Sequence, residues 1–409
     1  MKHIYSAVSG IFLAAIISFI HSSASAQSPN WTLSLSFTNG ACFAIASSYN
    51  GTNLVVGGNP QAIYTSTDSG ADWNSTGFGA SHPLPVASQF LSGGHPIAMS
   101  ADGTRIAFVS GNTVYCSTDS GATWNPFTGA QWTGVASSSD GLKLAASSRS
   151  SGVYVSSNGG TNWTQSSSTV QFIDIASSGD GMKLLAAPWN GGDTIYTSAD
   201  GGYNWTPHLA GQNWISVASS TNGATLVAAS QNDSAWGNQY GQIYVSTNSG
   251  NNWTAVGSPA LLWESVSCSA DGQIIAAAAK NQGAYPGQIY ISTDTGTSWQ
   301  LANAPVQIWE SIAVSGDGRE VAAAAISTNG VYPGVVYTAA LPALSGPVVN
   351  LLAGGGNAYV QWPNPSSGYV LQQSPDLTNW VAVTNPPAVI NQVVLPATGS
   401  NAFFRLVRP

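Results

Sequence analysis

Short runs in which apolar and polar residues alternate recur along the chain, as in Trp214–Ser220 (WISVASS), Ala224–Ser230 (ATLVAAS) and Gln242–Thr247 (QIYVST). Period-two alternation bounded by clusters of Gly, Asn, Asp and Ser predicts β-strands joined by tight turns. Two turn signals keep time with each other. The first is an Asx-Gly pair at Asn50-Gly51, Asp102-Gly103, Asp140-Gly141, Asp180-Gly181, Asn222-Gly223, Asp271-Gly272 and Asp317-Gly318. Such pairs predict two-residue hairpins of type I′. The second is Ser-x-Asp/Asn-x-Gly-x-x-Trp, found six times and led by Ser66, Ser117, Ser156, Ser198, Ser246 and Ser292. In this box the Asx side chain bonds its own turn, Gly supplies a positive φ, and Trp anchors the turn on the core. The repeating unit is strand, Asx-Gly turn, strand, variable loop, strand, box, strand. Four strands in about 38–52 residues, repeated, predict the blade of a β-propeller.

Seven Asx-Gly turns against six boxes predict how the ring closes. The seventh unit stops after its third strand, at GVVYTAALPALSG, whereas the segment near the start, SPNWTLSLSF, carries an Asn30-Trp31-Thr32 that matches Asn162-Trp163-Thr164, Asn204-Trp205-Thr206 and Asn252-Trp253-Thr254. The N-terminal strand is therefore expected to complete the last blade, which leaves no open sheet edge. Residues 27–345 are predicted to form a seven-bladed, all-β propeller. Residues 346–409, with runs such as AYVQW, GYVLQQS and AFFRLV, are predicted to form a small C-terminal β-sandwich. Residues 1–26 read as a signal peptide: Lys2 and His3, an apolar run Ala7–Ile20, and a small-residue site at Ala24-Ser25-Ala26. The expected location is secreted, periplasmic or on the cell surface, with no membrane span.

The boxes resemble the Asp-box, or bacterial neuraminidase repeat, and the resemblance covers about three quarters of the chain. Propellers with such boxes include sialidases, xyloglucan-cleaving hydrolases, sortilin-type receptors and a photosystem II assembly factor, so the resemblance implies a fold and leaves function open. It also implies that each box lies between the two outer strands of its blade, on the face opposite the active sites of the enzymes, and acts as a structural staple. Sialidases grip a substrate carboxylate with three arginines. The propeller here has only Arg105, Arg149 and Arg319; Arg105 and Arg319 follow Asx-Gly turns on the box face, and the Arg-Ile-Pro motif is missing. Sialidase activity is not expected.

Charge narrows the choice further. Nine basic against 17 acidic residues give a net charge of −8, which argues against nucleic acid or an anionic membrane as partner. Cys42, Cys116 and Cys268 are odd in number and lack metal-ligand spacing; they read as small buried hydrophobes. No motif for a metal, nucleotide or other cofactor is present, and the histidines, including His82 and His95 in the long connection between the first two blades, add no recognisable site.

Acids are scarce enough to sort by elimination. Those outside turns and boxes are Asp174, Asp193, Asp233, Glu264 and Glu310, all expected toward the face opposite the boxes. Glu264 in LLWESVS and Glu310 in QIWESIA hold equivalent places in adjacent blades; such a pair divides acid and base roles in a glycoside hydrolase, or marks a polar contact between duplicated blades. The same face carries Arg149 and, in variable loops, Trp189, Trp236, Tyr240, Tyr285 and Tyr332. Loop aromatics beside neutral amides and hydroxyls suit a polyhydroxylated ligand or a protein surface. Beside a purely structural assembly factor with neither ligand nor turnover, two functions stand from the sequence. One is a non-catalytic recognition propeller that binds a glycan or protein on this face. The other is a polysaccharide-degrading enzyme using Glu264 and Glu310, or Asp174 and Asp233.

Overall fold

The computed structural model describes residues 29–341, except 38–40, 60–61, 79–94, 167–169, 190–193, 233–239, 281–286 and 327–333, together with six strands between residues 350 and 407. Residues 1–26 lie outside the described part. Contacts divide the chain into a unit Gln27–Pro342 and a second unit that includes Ala343–Pro409. The first unit is a propeller of seven four-stranded antiparallel sheets. Blades one to six start at Ala41–Ser47, Ile97–Met99, Trp132–Ser137, Phe172–Ser177, Asn213–Ser219 and Trp263–Cys268, and their outermost strands are Asn74–Ser75, Asn125–Thr128, Thr164–Gln165, Thr206–Pro207, Thr254–Ala255 and Gln300–Leu301. The seventh takes Ile308–Val314, Glu320–Ile326 and Gly334–Ala340 from its own repeat, and Thr32–Ser36 as its outer strand.

That N-terminal strand is held by pairing and by packing. Thr32 faces Thr338 and Leu33 faces Tyr337. Trp31 sits with its ring centroid 6.2 Å from Trp309 and donates its indole N–H to Ala302 O at 2.9 Å in blade six. From the other side, Trp73 of the first box donates to Ser34 Oγ at 2.8 Å. The seam between chain start and last repeat is thus bonded to both neighbouring blades. The second unit contains two three-stranded antiparallel sheets, one from Asn350–Gly354, Asn357–Gln361 and Gln392–Pro396, the other from Val370–Ser374, Val381–Ala382 and Phe403–Val407.

The Asx-Gly turns differ from the expected two-residue hairpins. In the first, Ser48 N–H donates to Asn53 O and Gly51 N–H to Ser48 O, which makes a four-residue loop of residues 49–52 built on an i to i+3 turn. Type I′ requires a positive φ at the Asx as well, yet only the Gly has one. The reason is a serine two residues before each Asx. Ser48 Oγ donates to Asn50 Oδ1 and accepts Asn53 N–H, so the side chains replace the tight backbone closure. Ser100, Ser138, Ser178, Ser220, Ser269 and Ser315 repeat this, and all seven serines are buried.

The residue between each Ser and Asx accepts a backbone bond from a neighbouring blade, and in six of the seven turns it also donates one. Tyr49 N–H donates to Ala101 O, Ala101 to Ser139, Ser139 to Gly179, Gly179 to Thr221, Thr221 to Ala270, Ala270 to Gly316, and Asp317 N–H returns to Tyr49 O, all at 2.7–2.8 Å. These seven backbone bonds form a closed circle. A second layer lies deeper, where the first-strand amides of Val266, Ile312 and Ile45 donate to Ser216, Ser265 and Ser311 Oγ of the preceding blade.

This second layer changes character in blades two to four. Gly134 holds the serine position of blade three and has no side chain to accept a bond, and a Cβ there would lie 3.2 Å from Asp174 Oδ1. Asp174, in blade four, takes over: its carboxylate accepts Ile175 and Val217 N–H at 2.8 Å each. It also accepts His95 N–H at 2.9 Å and stands 2.8 Å from His95 Nδ1. The Asp174 side chain is fully buried, whereas that of His95 is 18% exposed. His95 thus belongs to the wall of the axial channel, rather than only to a long connection as its place in the sequence suggested, and His95 O accepts Val135 N–H. Burial opposes charge on the ring, but the Asp174 charge and hydrogen bond and the Val266 carbonyl outweigh it and raise the His95 pKa.

The boxes sit between the third and fourth strands and staple blades together. In the first, Ser66 Oγ donates to Asp68 Oδ1 and accepts Gly70 N–H, while Asp68 Oδ1 accepts Asp72 N–H. The box Gly lies against the preceding blade: a Cβ on Gly160 would meet Cys116 Sγ and come within 2.8 Å of Cys116 Cβ. Cys42 and Cys116 are buried free thiols and Cys268 is partly buried; burial pushes Cys116 and Cys268 up to about 12.

Two predictions follow from these contacts. Gly160→Ala combines a left-handed φ of +86° with overpacking, and is expected to destabilise the propeller by about 2–5 kcal/mol in urea titrations. Asp174→Asn leaves His95 without its counter-charge and is expected to cost about 3 kcal/mol at pH 6. Because the His95 pKa is raised, the stability it supplies is complete below about pH 6.5 and fades as pH rises through the folded value, so the wild-type advantage over Asp174→Asn must shrink with rising pH.

Candidate functional site

Six first strands carry a register shift that inserts one residue just after a buried core position: Cys42/Ala44, Trp132/Gly134, Phe172/Asp174, Trp214/Ser216, Trp263/Ser265 and Trp309/Ser311. A bulge of this kind re-aims one side chain out of the regular alternation. In blades six and seven the inserted residues are Glu264 and Glu310. Trp132, Phe172, Trp214, Trp263 and Trp309 beside the shifts are core, each edge-on to a third-strand tyrosine of its own blade.

A second equivalence places the partners. Where a second strand ends, its next residue donates its N–H to the carbonyl that precedes the first strand: Arg149 to Gln131, Trp189 to Gln171, Lys280 to Leu262. Gln231 holds the corresponding register in blade five, one residue beyond the Ser230–Trp214 pair. Blades three to six therefore present Arg149, Trp189, Gln231 and Lys280 in order, at the ends of their second strands away from the boxes. The Arg149 guanidinium lies over the Trp189 ring, 5.6 Å from its centroid, and Nε donates to Gln131 Oε1 at 2.9 Å. Stacking on an aromatic face with one edge hydrogen-bonded pre-organises the guanidinium.

At the other end of the arc, Lys280 Nζ lies 2.8 Å from Glu264 Oε1 and 3.8 Å from Glu310 Oε2. Gln231 Nε2 donates to Glu264 Oε2 at 3.1 Å. The Glu264 carboxylate is fully enclosed, whereas Lys280 and Glu310 side chains are 22% and 12% exposed. Burial pushes Glu310 up to about 7; Lys280 opposes the rise and the Glu264 charge adds to it. Glu310 is thus the member of the pair that exchanges protons near neutrality, while Glu264 is enclosed against Lys280 and Gln231.

The structure brings together Glu264 and Glu310 of the expected acids, and Arg149 with Trp189 of the expected ligand-binding residues. Asp174 faces the axial channel wall, with both carboxylate oxygens occupied by His95, Ile175 and Val217. Tyr240 is half-buried and precedes the Gly241–Leu261 bridge. Trp236, Tyr285, Tyr332, Asp193 and Asp233 lie outside the described residues. Lys280 and Gln231 were missed in the sequence, although Lys280 is one of only four lysines and shares a blade with Glu264. Among the described residues no cluster of His, Cys, Asp and Glu is arranged to hold a metal, and no helix is long and apolar enough to cross a membrane.

The sequence matches no family model, and no curated protein matches it. Among solved structures the propeller is similar to YCF48 bound to D1 peptide, with a TM-score of 0.53 and 14% identity over 76% of this chain and 97% of that one. It is similar to the GH74 xyloglucanase from Xanthomonas campestris, with a TM-score of 0.53 and 13% identity over 81% of this chain but only 59% of the xyloglucanase. It is also similar to Kuenenia stuttgartiensis hydrazine synthase, with a TM-score of 0.55 and 13% identity over 72% of this chain and 95% of that chain. At these identities the shared property is the seven-bladed fold.

Glu310 sets a pH test. Its folded pKa lies above the unfolded value, so the native state holds the extra proton between about pH 4.5 and 7 and stability falls as pH rises across that window. Glu310→Gln is expected to match wild type near pH 4.5 and to exceed it at pH 8 by up to about 3 kcal/mol in urea unfolding; a variant less stable than wild type at pH 8 contradicts the assignment.

Proposed function

We propose that the chain is an exported recognition propeller that binds a glycan or a protein ligand on the face opposite the boxes, without turning it over. The observation that carries this reading is the position of Lys280. A pair of carboxylates that hydrolyses a glycosidic bond must flank open space for the sugar. Here an ammonium stands between the two, and Glu264, enclosed by Lys280 and Gln231, has no route to a substrate. The network serves to fix charge at one end of the arc, while Arg149 and Trp189 offer a rigid, half-exposed cation and ring at the other. Rigid aromatic and arginine anchors are the residues that dominate binding surfaces. In keeping with an exported protein, residues 1–26 act as the signal peptide and residues 27–345 as the secreted propeller. Residues 346–409 act as an appended β-sandwich module, and the protein works outside the cytoplasm.

Fold relatives differ in what they hold: YCF48 is seen with D1 peptide, and the xyloglucanase carries its activity in its name. A second reading, a polysaccharide-degrading enzyme, draws support from Glu310, whose pKa near 7 suits a general acid. The two readings separate in one set of measurements. On arrays of plant, algal and bacterial glycans and of peptides, wild type is expected to retain at least one ligand, and Trp189→Ala and Arg149→Ala to weaken it at least tenfold. Reducing-end or unsaturated-sugar release that disappears in Glu310→Gln would replace binding with catalysis.

A further inference from the structure

A cleft of about 270 Å³ opens on the box side, between blades three and four, and is lined by Lys143, Asn158, Asn162, Met182, Asp200 and Tyr203 among others. It arises from a local departure from the repeat. The box residue between Asx and Gly is Ser69, Ser120, Ser249 or Thr295 in four blades, each held at φ of +58° to +60°. In boxes three and four it is Gly159 and Gly201. A Cβ at Gly201 would find only Gly181 O at 3.7 Å and Met182 Sδ and Cε at 3.8 and 4.0 Å, so the missing side chain leaves room rather than relieving a clash.

The same change releases a donor. In the next blade junction Lys183 Nζ bonds Asn222 O at 2.9 Å and reaches Ser249 Oγ at 3.3 Å. Lys143 is its counterpart one blade earlier and makes the equivalent bond, to Asp180 O at 2.7 Å. With glycine at 201 there is no hydroxyl for its second bond, and the ammonium is left to line the cleft. Asn158, in the same blade as Lys143, replaces the aspartate of four other boxes; its Oδ1 accepts the Ser156 hydroxyl and the Asn162 N–H, which leaves Nδ2 as a donor. Asp200 Oδ1 is taken by Ser198 Oγ and the N–H groups of Tyr203 and Asn204, and Oδ2 accepts Asn204 Nδ2, which leaves Oδ2 one further acceptor position; Tyr203 lines the cleft with 58% of its surface exposed.

We propose that this cleft is a binding site for a neutral saccharide unit, separate from the open-face arc. An exposed aromatic ring offers a platform for the apolar face of a sugar, and vicinal hydroxyls need donors and acceptors together, which Lys143, Asn158 and Asp200 supply. The volume lies just under the about 300–1,000 Å³ of pockets for drug-sized ligands, which suits one or two sugar rings at the end of a chain. The mix of one ammonium and one carboxylate leaves no net charge to favour an ionic ligand.

The test uses the full chain with cellotriose, xylotriose and mannotriose as probes, followed by saturation-transfer NMR and calorimetry. At least one probe is expected to bind. Gly201→Ser, whose serine meets the φ that three sister boxes already accommodate, is expected to unfold at the wild-type urea midpoint yet bind at least tenfold more weakly, as is Tyr203→Ala. Ser249→Ala, at the sister junction, is expected to bind as wild type. Failure of all three probes overturns the proposal. So does binding that survives both Gly201→Ser and Tyr203→Ala, or binding that is lost only in Trp189→Ala, which would place the sugar on the open face.

Discussion

Seven backbone hydrogen bonds, from Tyr49 through Ala101, Ser139, Gly179, Thr221 and Ala270 to Gly316 and back from Asp317 to Tyr49, join each blade to the next around the whole ring. A blade alone is a small twisted sheet with apolar faces that it cannot bury. Each gains its buried surface from two neighbours, so a ring has no weak end only if the last junction equals the other six. The circle closes in the backbone, where sequence drift cannot remove it, with Asp317 N–H at the last junction in place of the amide one residue earlier that the other six use. The buried serine of every Ser-x-Asx-Gly turn fixes the loop that presents the donor and the acceptor. The outer seam, where Thr32–Ser36 pairs with the last repeat, is secured by Trp31 and Ser34 in the same spirit.

On that frame, departures from sevenfold equivalence carry the individual character of the molecule. Gly134 removes a hydroxyl and Asp174 replaces it with a carboxylate, which draws His95 from blade two across to blade four. Bulges that insert neutral side chains elsewhere insert Glu264 and Glu310 in blades six and seven, and only there does a lysine answer them. Gly201 empties a position that sister boxes fill. Places where a repeat breaks its own local rule without loss of fold are where function is expected. The same scaffold places Lys280 Nζ 2.8 Å from Glu264 and 3.8 Å from Glu310, and burial pushes the Glu310 pKa up to about 7.

Blade number and the closing strand were legible in the sequence because both rest on periodic signals: the Asx-Gly turns, the boxes, and the Asn-Trp-Thr shared by the chain start and the box ends. The turn geometry was misread, since the serine that decides it was treated as background in a serine-rich chain. The Glu264 and Glu310 pair was visible as repeat equivalence; its lysine was not, because Lys280 follows a different strand and no sequence spacing ties it to the two acids. His95 and Asp174 are 79 residues apart, and no local pattern predicts a contact that skips a whole blade. Arg149 and Trp189 were found singly, but their stacking follows only from the shared register of the second strands in blades three and four.

Native-state hydrogen exchange tests the closed circle most directly. The amides of Tyr49, Ala101, Ser139, Gly179, Thr221, Ala270 and Asp317 are expected to share one protection level, equal to the global unfolding free energy, and to respond to urea with one common slope. Faster, urea-independent exchange of Tyr49 and Asp317 than of the other five would mean that the ring opens at its seam in the native state, and would contradict the account.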